Sequence, residues 1–195
     1  MKLLELFNLA IDAGESVSGD KTQYKITTIG DTVYLAIQWS VDRQDWLYNF
    51  MFVPAPYKAK KYPWYVHAGF AKAWKQARDK IASGVIPLLN GKRLVILGYS
   101  HGAALAILAH EYFQFNGYNP STFAFGCPRV IWMPSKTIRS RFFDVEIINR
   151  IGDLVGHVPP RIFGYKHVAK VTNIGSYKSI WWTRHLIPEY VEAMQ

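Results

Sequence analysis

Ser100 sits in the stretch LVILGYSHGAALAILAH, residues 94–110, with a glycine two positions before it and another two positions after it. A serine hydroxyl is a weak nucleophile until a neighbouring base takes its proton. The Gly-x-Ser-x-Gly spacing suits a nucleophile held on a strained turn between a strand and a helix, its hydroxyl exposed above the sheet. Side chains at 98 and 102 would collide where strand and helix pack closely. The competing reading is a plain connection in which Ser100 only caps the helix. The flanks favour the nucleophile. Leu94 to Leu97 is an apolar strand candidate, and Ala103 to Tyr112 is rich in alanine and leucine, strong helix formers.

A nucleophilic serine needs a base, usually histidine, and a carboxylate that fixes the base's tautomer. With an elbow of this kind the chain order is serine, acid, histidine, and the reacting groups lie beyond the carboxyl ends of the strands. The acids after Ser100 are Glu111, Asp144, Glu146, Asp153, Glu189 and Glu192. Glu111 lies eleven residues along the helix, roughly 16 Å away at helical rise. Asp144 opens a strand at its wrong end, Glu146 lies inside that strand, and Glu189 and Glu192 follow every histidine. Asp153 remains, in a loop just after VEIIN, where the alternative is a solvated turn aspartate. His157, His167 and His185 follow it. His167 begins a strand, again the wrong end. His185 lies beyond the last strand and before the closing helix, where a base would be carried. His157 stays open as the alternative, since it shares the acid's own loop.

These groups need a sheet and helices to hold them. MKLLELFNLAIDAG places Leu3, Leu6, Phe7, Ala10 and Ile11 at helical spacing, predicting an amphipathic helix ending near Gly14. QYKITTIGDTVYLAIQWS reads as two strands joined at Gly30-Asp31. Strand propensity continues in WLYNFMFVPAP. Gly69 to Ile81 reads as a helix with Phe70, Ala73, Trp74 and Ala77 on one face. Strands follow at Arg93 to Gly98, STFAFGCP, DVEIINR and HVAKVTNIG, with a helix at His101 to Asn116 and a closing segment, HLIPEYVEAM, that is at least partly helical. The alternation predicts one α/β domain over residues 1–195, with a mostly parallel sheet and an antiparallel N-terminal meander.

The formal net charge of +9 favours anionic surfaces. The positive charges are scattered and no nucleic-acid motif accompanies them, so a specific nucleic-acid partner is not expected. The single cysteine, Cys127, excludes an internal disulfide and fits a reducing compartment. No His/Cys cluster suggests a metal, and serine chemistry of this kind needs no cofactor. Glu5 and Asn8 interrupt the apolar N-terminal stretch, so no cleaved signal is recognised. Cytoplasmic placement is expected, with release from the cell left open.

Four segments together resemble the class 3 lipases, the fungal triacylglycerol lipase type: GYSHG, VHAGF at 66–70, NRIGDLVGHVPP and RHLIPEY. The likeness spans roughly residues 24–190. It implies an α/β-hydrolase fold: a mostly parallel central sheet, antiparallel N-terminal strands and helices on both faces. It also implies ester hydrolysis by Ser100, Asp153 and His185. Ser40, in IQWSVDRQDW, takes the place of the family's oxyanion-hole hydroxy residue, with Gln38 and Trp39 where arginine and glycine are usual. The N–H of His101 supplies the second donor. Val41 to Trp46 corresponds to the lid. The disulfide cysteines of secreted fungal members are missing.

The implied substrates are acylglycerol lipids, with phospholipids (a phospholipase A1) or soluble esters as alternatives. A catalytically inactive peripheral membrane protein of the same fold is the alternative of another class. Lys58, Lys60 and Lys61, between Tyr57 and Tyr62 and near Trp64, suggest contact with an anionic lipid surface. The aromatic residues of the Val41–Tyr65 region, Trp46, Tyr48, Phe50, Phe52, Tyr57, Tyr62, Trp64 and Tyr65, mark where substrate preference would be set. Alternating Tyr48, Phe50 and Phe52 also suit the buried face of a strand. Trp181 and Trp182 are candidates for the acyl site.

Overall fold

The computed structural model describes residues 1–12, 14–16, 22–39, 52–57, 64–176 and 183–195. Ser40, the Val41–Trp46 segment, Tyr48, Phe50, Lys58, Lys60, Lys61, Tyr62, Trp181 and Trp182 lie outside the described residues.

The chain begins with helix α1 (Leu3–Ala10), which buries Leu6, Phe7 and Ala10. Glu5 and Asn8, the residues that break its apolar run, face solvent. A short strand β1 (Glu15–Ser16) pairs antiparallel with β2 (Thr22–Ile29), which pairs antiparallel with β3 (Thr32–Trp39). Ile29 pairs with Thr32, leaving a two-residue turn. Its positive φ of 54° falls on Gly30, the first central position, where a turn that follows the strands' own twist calls for glycine.

From β3 the sheet continues in parallel through β6 (Arg93–Tyr99), β7 (Ser121–Phe125), β9 (Val145–Arg150) and β11 (Val171–Ile174), in the order β1-β2-β3-β6-β7-β9-β11. Parallel neighbours need crossovers, and long helices supply the two from β3 to β6 and from β6 to β7. Helix α2 (Ala68–Val85) buries Phe70, Ala73, Trp74 and Ala77, the face anticipated from spacing, together with Ile81, Ala82 and Val85. Helix α3 (His101–Phe115) packs across β3, β6 and β7 and against α2. It is apolar around most of its circumference because it is buried on most sides.

The opposite face of the sheet is covered by α1 and the closing helix α5 (Ile187–Met194). There Leu6, Phe7 and Ala10 meet Ala36, Leu97, Phe125, Ile148 and Tyr190. The expected α/β architecture, with helices on both faces, is what the chain adopts.

A second sheet was not anticipated. The strands β4 (Pro54–Tyr57), β5 (Trp64–His67), β8 (Ile131–Trp132) and β10 (Tyr165–Lys166) form it in the order β10-β8-β5-β4, all antiparallel. Two of these strands are two residues long, too short for a period-2 pattern to register. A four-residue helix α4 (Lys136–Arg139) is capped by Ser135, whose hydroxyl accepts the Ile138 N–H. His167 corrects another expectation. It does not open a strand but lies between β10 and β11, with Nε2 donating to the Gly156 carbonyl at 2.9 Å.

Candidate active site

Strand β6 delivers the chain to Ser100 and α3 carries it away. Ser100 has φ 57° and ψ −121°, a strained conformation for a residue with a side chain. Two contacts explain the glycines on either side. A Cβ on Gly98 would lie 2.3 Å from the Gly102 carbonyl oxygen, and one on Gly102 would lie 2.0 Å from the Ile37 carbonyl oxygen. The turn therefore closes only if both positions lack a side chain. The Ser100 N–H is tied to the Phe125 carbonyl at 2.9 Å, which holds the strained residue to the neighbouring strand.

Ser100, His185 and Asp153 lie in one hydrogen-bonded line. His185 Nε2 is 2.8 Å from Ser100 Oγ, and His185 Nδ1 is 2.7 Å from Asp153 Oδ2. A carboxylate only accepts, so Nδ1 carries the proton and Nε2 presents its lone pair to the serine hydroxyl. Asp153 is buried, and the Val155 N–H donates to its second oxygen at 2.8 Å. It lies just past the end of β9, and His185 stands two residues before α5 begins. His157 is placed elsewhere. Its carbonyl accepts from Arg129 Nη1 at 2.6 Å, and its Nδ1 is 3.4 Å from Arg129 Nη2.

Two tyrosines that the sequence reading gave no supporting role hold this line. The Tyr190 hydroxyl donates to Asp153 Oδ2 at 2.7 Å and accepts the Arg150 N–H at 3.0 Å. Burial first, and then the Asp153 charge, push the Tyr190 phenol well above its ordinary pKa, so it remains a donor. Tyr99 stacks on the His185 ring with centroids 5.2 Å apart and planes 15° apart, and its hydroxyl donates to the His185 carbonyl. Phe7 of α1 stacks on Tyr190 and meets Tyr99 edge-on. The N-terminal helix thus braces the acid and the imidazole from below. The signal available in the sequence was the apolar face of α1, whose partner the sequence did not reveal.

Tyr190→Phe removes a donor from a buried carboxylate and the acceptor of a buried amide. We expect a loss of about 1–3 kcal/mol in urea unfolding. An unchanged midpoint would show that neither bond matters to the folded state.

His101 opens α3, so its N–H belongs to the first turn of a helix, where amides lack intrahelical acceptors. Its side chain turns into the protein, edge-on to Phe70 at 5.0 Å, with Nε2 withdrawn from solvent. Burial first, then the nearby His67, push its pKa down to about 3, so the ring is neutral at pH 7. Strand β3 ends against Gly102, as the clash with Ile37 shows. Among the described residues, no group of three or more His, Cys, Asp or Glu could hold a metal ion, and no helix is long and apolar enough to cross a membrane.

The sequence matches the family described as Lipase (class 3) over residues 34–163. Among curated proteins it is 25% identical over 170 residues to secreted mono- and diacylglycerol lipase 1 of Fusarium solani, covering 79% of this chain and 48% of that one. It is 34% identical over 112 residues to secreted mono- and diacylglycerol lipase LIP4 of Malassezia restricta, covering 51% and 36%. Among solved structures, the lipase of Rhizopus microsporus var. chinensis superposes with a TM-score of 0.74 at 24% identity, covering 83% of this chain and 60% of that one. The Rhizomucor miehei triacylglyceride lipase gives 0.74 at 21%, covering 85% and 66%. The chain spans half or less of these curated relatives' length. The architecture shared with the solved structures is the α/β-hydrolase fold.

Proposed function

Because the chain belongs to the class 3 lipase family, we propose that it is a serine hydrolase cleaving carboxylic esters of acylglycerol lipids, with Ser100, His185 and Asp153 as its catalytic residues. The observation that carries this reading is the Ser100–His185–Asp153 line at 2.8 and 2.7 Å on a turn that only glycine neighbours permit. In this mechanism Ser100 Oγ attacks the ester carbonyl while His185 Nε2 takes its proton. Asp153 stabilises the imidazolium, and the proton then passes to the departing alcohol. Water attacks the acyl-serine by the same proton path and releases the acid. The His101 N–H, at the positive end of α3, is one donor to the developing oxyanion, and Ser40 is the candidate for the second. Each such donor contributes about 3 kcal/mol to lowering the barrier.

Mono- and diacylglycerols are the proposed substrates, following the names of the curated relatives. Those names also favour release from the cell over the cytoplasmic placement expected from the sequence. A fluorophosphonate reagent tests the central reading. It should label the folded chain at Ser100 and abolish ester hydrolysis in proportion to labelling. A chain that hydrolyses mono-oleoylglycerol while resisting the reagent would overturn it.

Contact with a lipid surface is part of the same proposal. The second sheet and the turn at Arg161–Phe163 present a run of exposed apolar side chains. Tyr65 meets Trp132 edge-on, Phe52 stacks on Phe163, and Met133 and Ile162 are 62% and 87% exposed. Arg161 and Lys166 flank them, both exposed. Clustered apolar side chains of this kind mark an interaction surface, and the adjoining cations suit anionic headgroups. Ile162→Glu alters a side chain that packs against little, so the fold should survive. Binding to vesicles containing phosphatidylserine should fall several-fold, with hydrolysis of a short soluble ester retained. Unaltered vesicle binding would remove this surface from the proposal.

A further inference from the structure

Behind Asp153 lies a second feature that ester hydrolysis does not use. A cavity of about 300 Å³ opens beside the carboxyl ends of β9 and β11, walled by Arg129, Asn149, Arg150, His167 and Asn173 and by the Gly152–His157 loop. Arg129 and Arg150 are 7% and 5% exposed. Arg150 is balanced by Glu189, with Nη2 2.7 Å from Oε2, but its Nη1 is buried without a partner. Arg129 donates only to neutral acceptors, the carbonyls of His157 and Pro159 at 2.6 and 3.0 Å, with His157 Nδ1 at 3.4 Å. Among the described residues no carboxylate pairs with it. Asp153, the one acid in the wall, is held by His185, Tyr190 and the Val155 N–H.

A buried guanidinium without a counter-charge is costly. Its positive field also shows at its neighbours. Burial first, then Arg129, His157 and Arg161, hold the His167 pKa down to about 4. His167 Nε2 donates to Gly156, which leaves Nδ1 as an acceptor, and that atom too is buried without a partner. Asn149 uses its oxygen to accept the Cys127 N–H, so its amide offers the cavity donors. The wall therefore combines several donors, one unbalanced positive charge and, in His167 Nδ1, a buried acceptor with no donor.

We propose that this cavity binds a small oxyanion that also carries a hydroxyl, a hydrogen phosphate or a phosphate monoester. Its oxygens accept from Arg129, Arg150 and Asn149, and a hydroxyl donates to His167 Nδ1: the P–OH of hydrogen phosphate, or an alcohol hydroxyl of a polyol monoester, whose phosphate is mostly dianionic at pH 7. The volume leaves room for free phosphate with several waters, since a water takes up about 30 Å³, or for a glycerol-sized ester. Acetate and sulfate at neutral pH lack the hydroxyl that Nδ1 requires.

The test is thermal unfolding of the full chain at pH 7 in sodium phosphate, sodium glycerol 3-phosphate, sodium sulfate or sodium chloride at matched ionic strength. Kosmotropic anions stabilise many proteins without saturating, so a site must show a saturable rise. An excess of about a hundredfold over Kd should raise Tm by several degrees. A larger rise with phosphate identifies the free ion as the ligand, and a larger rise with glycerol 3-phosphate identifies the monoester. Asn173 is exposed and pairs with Asn149 across β11 and β9. Asn173→Asp places a negative charge at the rim without disturbing the core and should weaken the anion about tenfold. Arg129→Met should lower the starting Tm and abolish the saturable increment. A rise no greater than in chloride, equal rises in sulfate and phosphate, or an increment unchanged in both variants would overturn the proposal. None of these readouts depends on ester hydrolysis.

Discussion

Ser100→Ala is expected to fold normally and to lose on the order of 10⁴ to 10⁶ in turnover on an acylglycerol ester. The replacement creates no new strain, because alanine meets the same penalty at φ 57° that serine already meets. The hydroxyl is hydrogen-bonded to His185 Nε2, and its removal leaves the bonds from His185 and Tyr190 to Asp153 in place. What disappears is the acyl acceptor. Residual hydrolysis would come from water held near the His101 N–H, which is why the expected loss is finite. His185→Ala should cost a similar factor, and combining the two should cost little more, since serine and histidine act in one step. Losses that multiplied would mean that the two residues act independently. Full turnover in Ser100→Ala would place the nucleophile elsewhere.

The parts of this fold legible in the sequence are those with long periodic runs. The apolar stripe of α1, the hairpin at Gly30, the α2 face and the β6–α3 turn could all be read, because a buried face repeats over several turns or pairs. The second sheet could not be read. β8 and β10 have two residues each and take their meaning from partners more than thirty residues away. The candidate site shows the same division. Order along the chain and position past strand ends were enough to nominate Ser100, Asp153 and His185, which the structure brings within hydrogen-bonding distance. His157 could not be set aside from sequence, because what turns it away is Arg129, twenty-eight residues earlier. The supporting roles of Tyr190 and Phe7 could not be read either. Each reads as an ordinary apolar position of an amphipathic helix, and only the packing of α1 against α5 makes them supports for Asp153. Ser40 and the lysines at 58, 60 and 61 lie outside the described residues, so those expectations stay as the sequence stated them.

Stability is expected to fall steeply as pH drops from 6.5 towards 4. His67 and His110 are 4% and 1% exposed, and burial holds each of their pKa values down to about 4. His101 and His167 are held down to about 3 and about 4, again chiefly by burial. Above the ordinary histidine pKa of about 6.5 these rings are neutral in both the folded and unfolded chain and impose no penalty. Below it the unfolded chain takes up protons that the folded chain refuses, so stability is lost until pH reaches the folded values. A pKa unit corresponds to about 1.4 kcal/mol. At pH 5 the two most buried rings alone would therefore cost about 4 kcal/mol, and the other two would add to this. Against a total stability of roughly 5–15 kcal/mol, that is enough to bring the unfolding transition into mild acid. Urea melts at pH 7 and pH 5 measure the effect directly. The midpoint should drop markedly between them, and His67→Phe with His110→Phe should flatten the dependence even where each replacement costs some packing. A midpoint indifferent to pH over this range would mean that the buried rings accept protons in the folded state, through water or local opening.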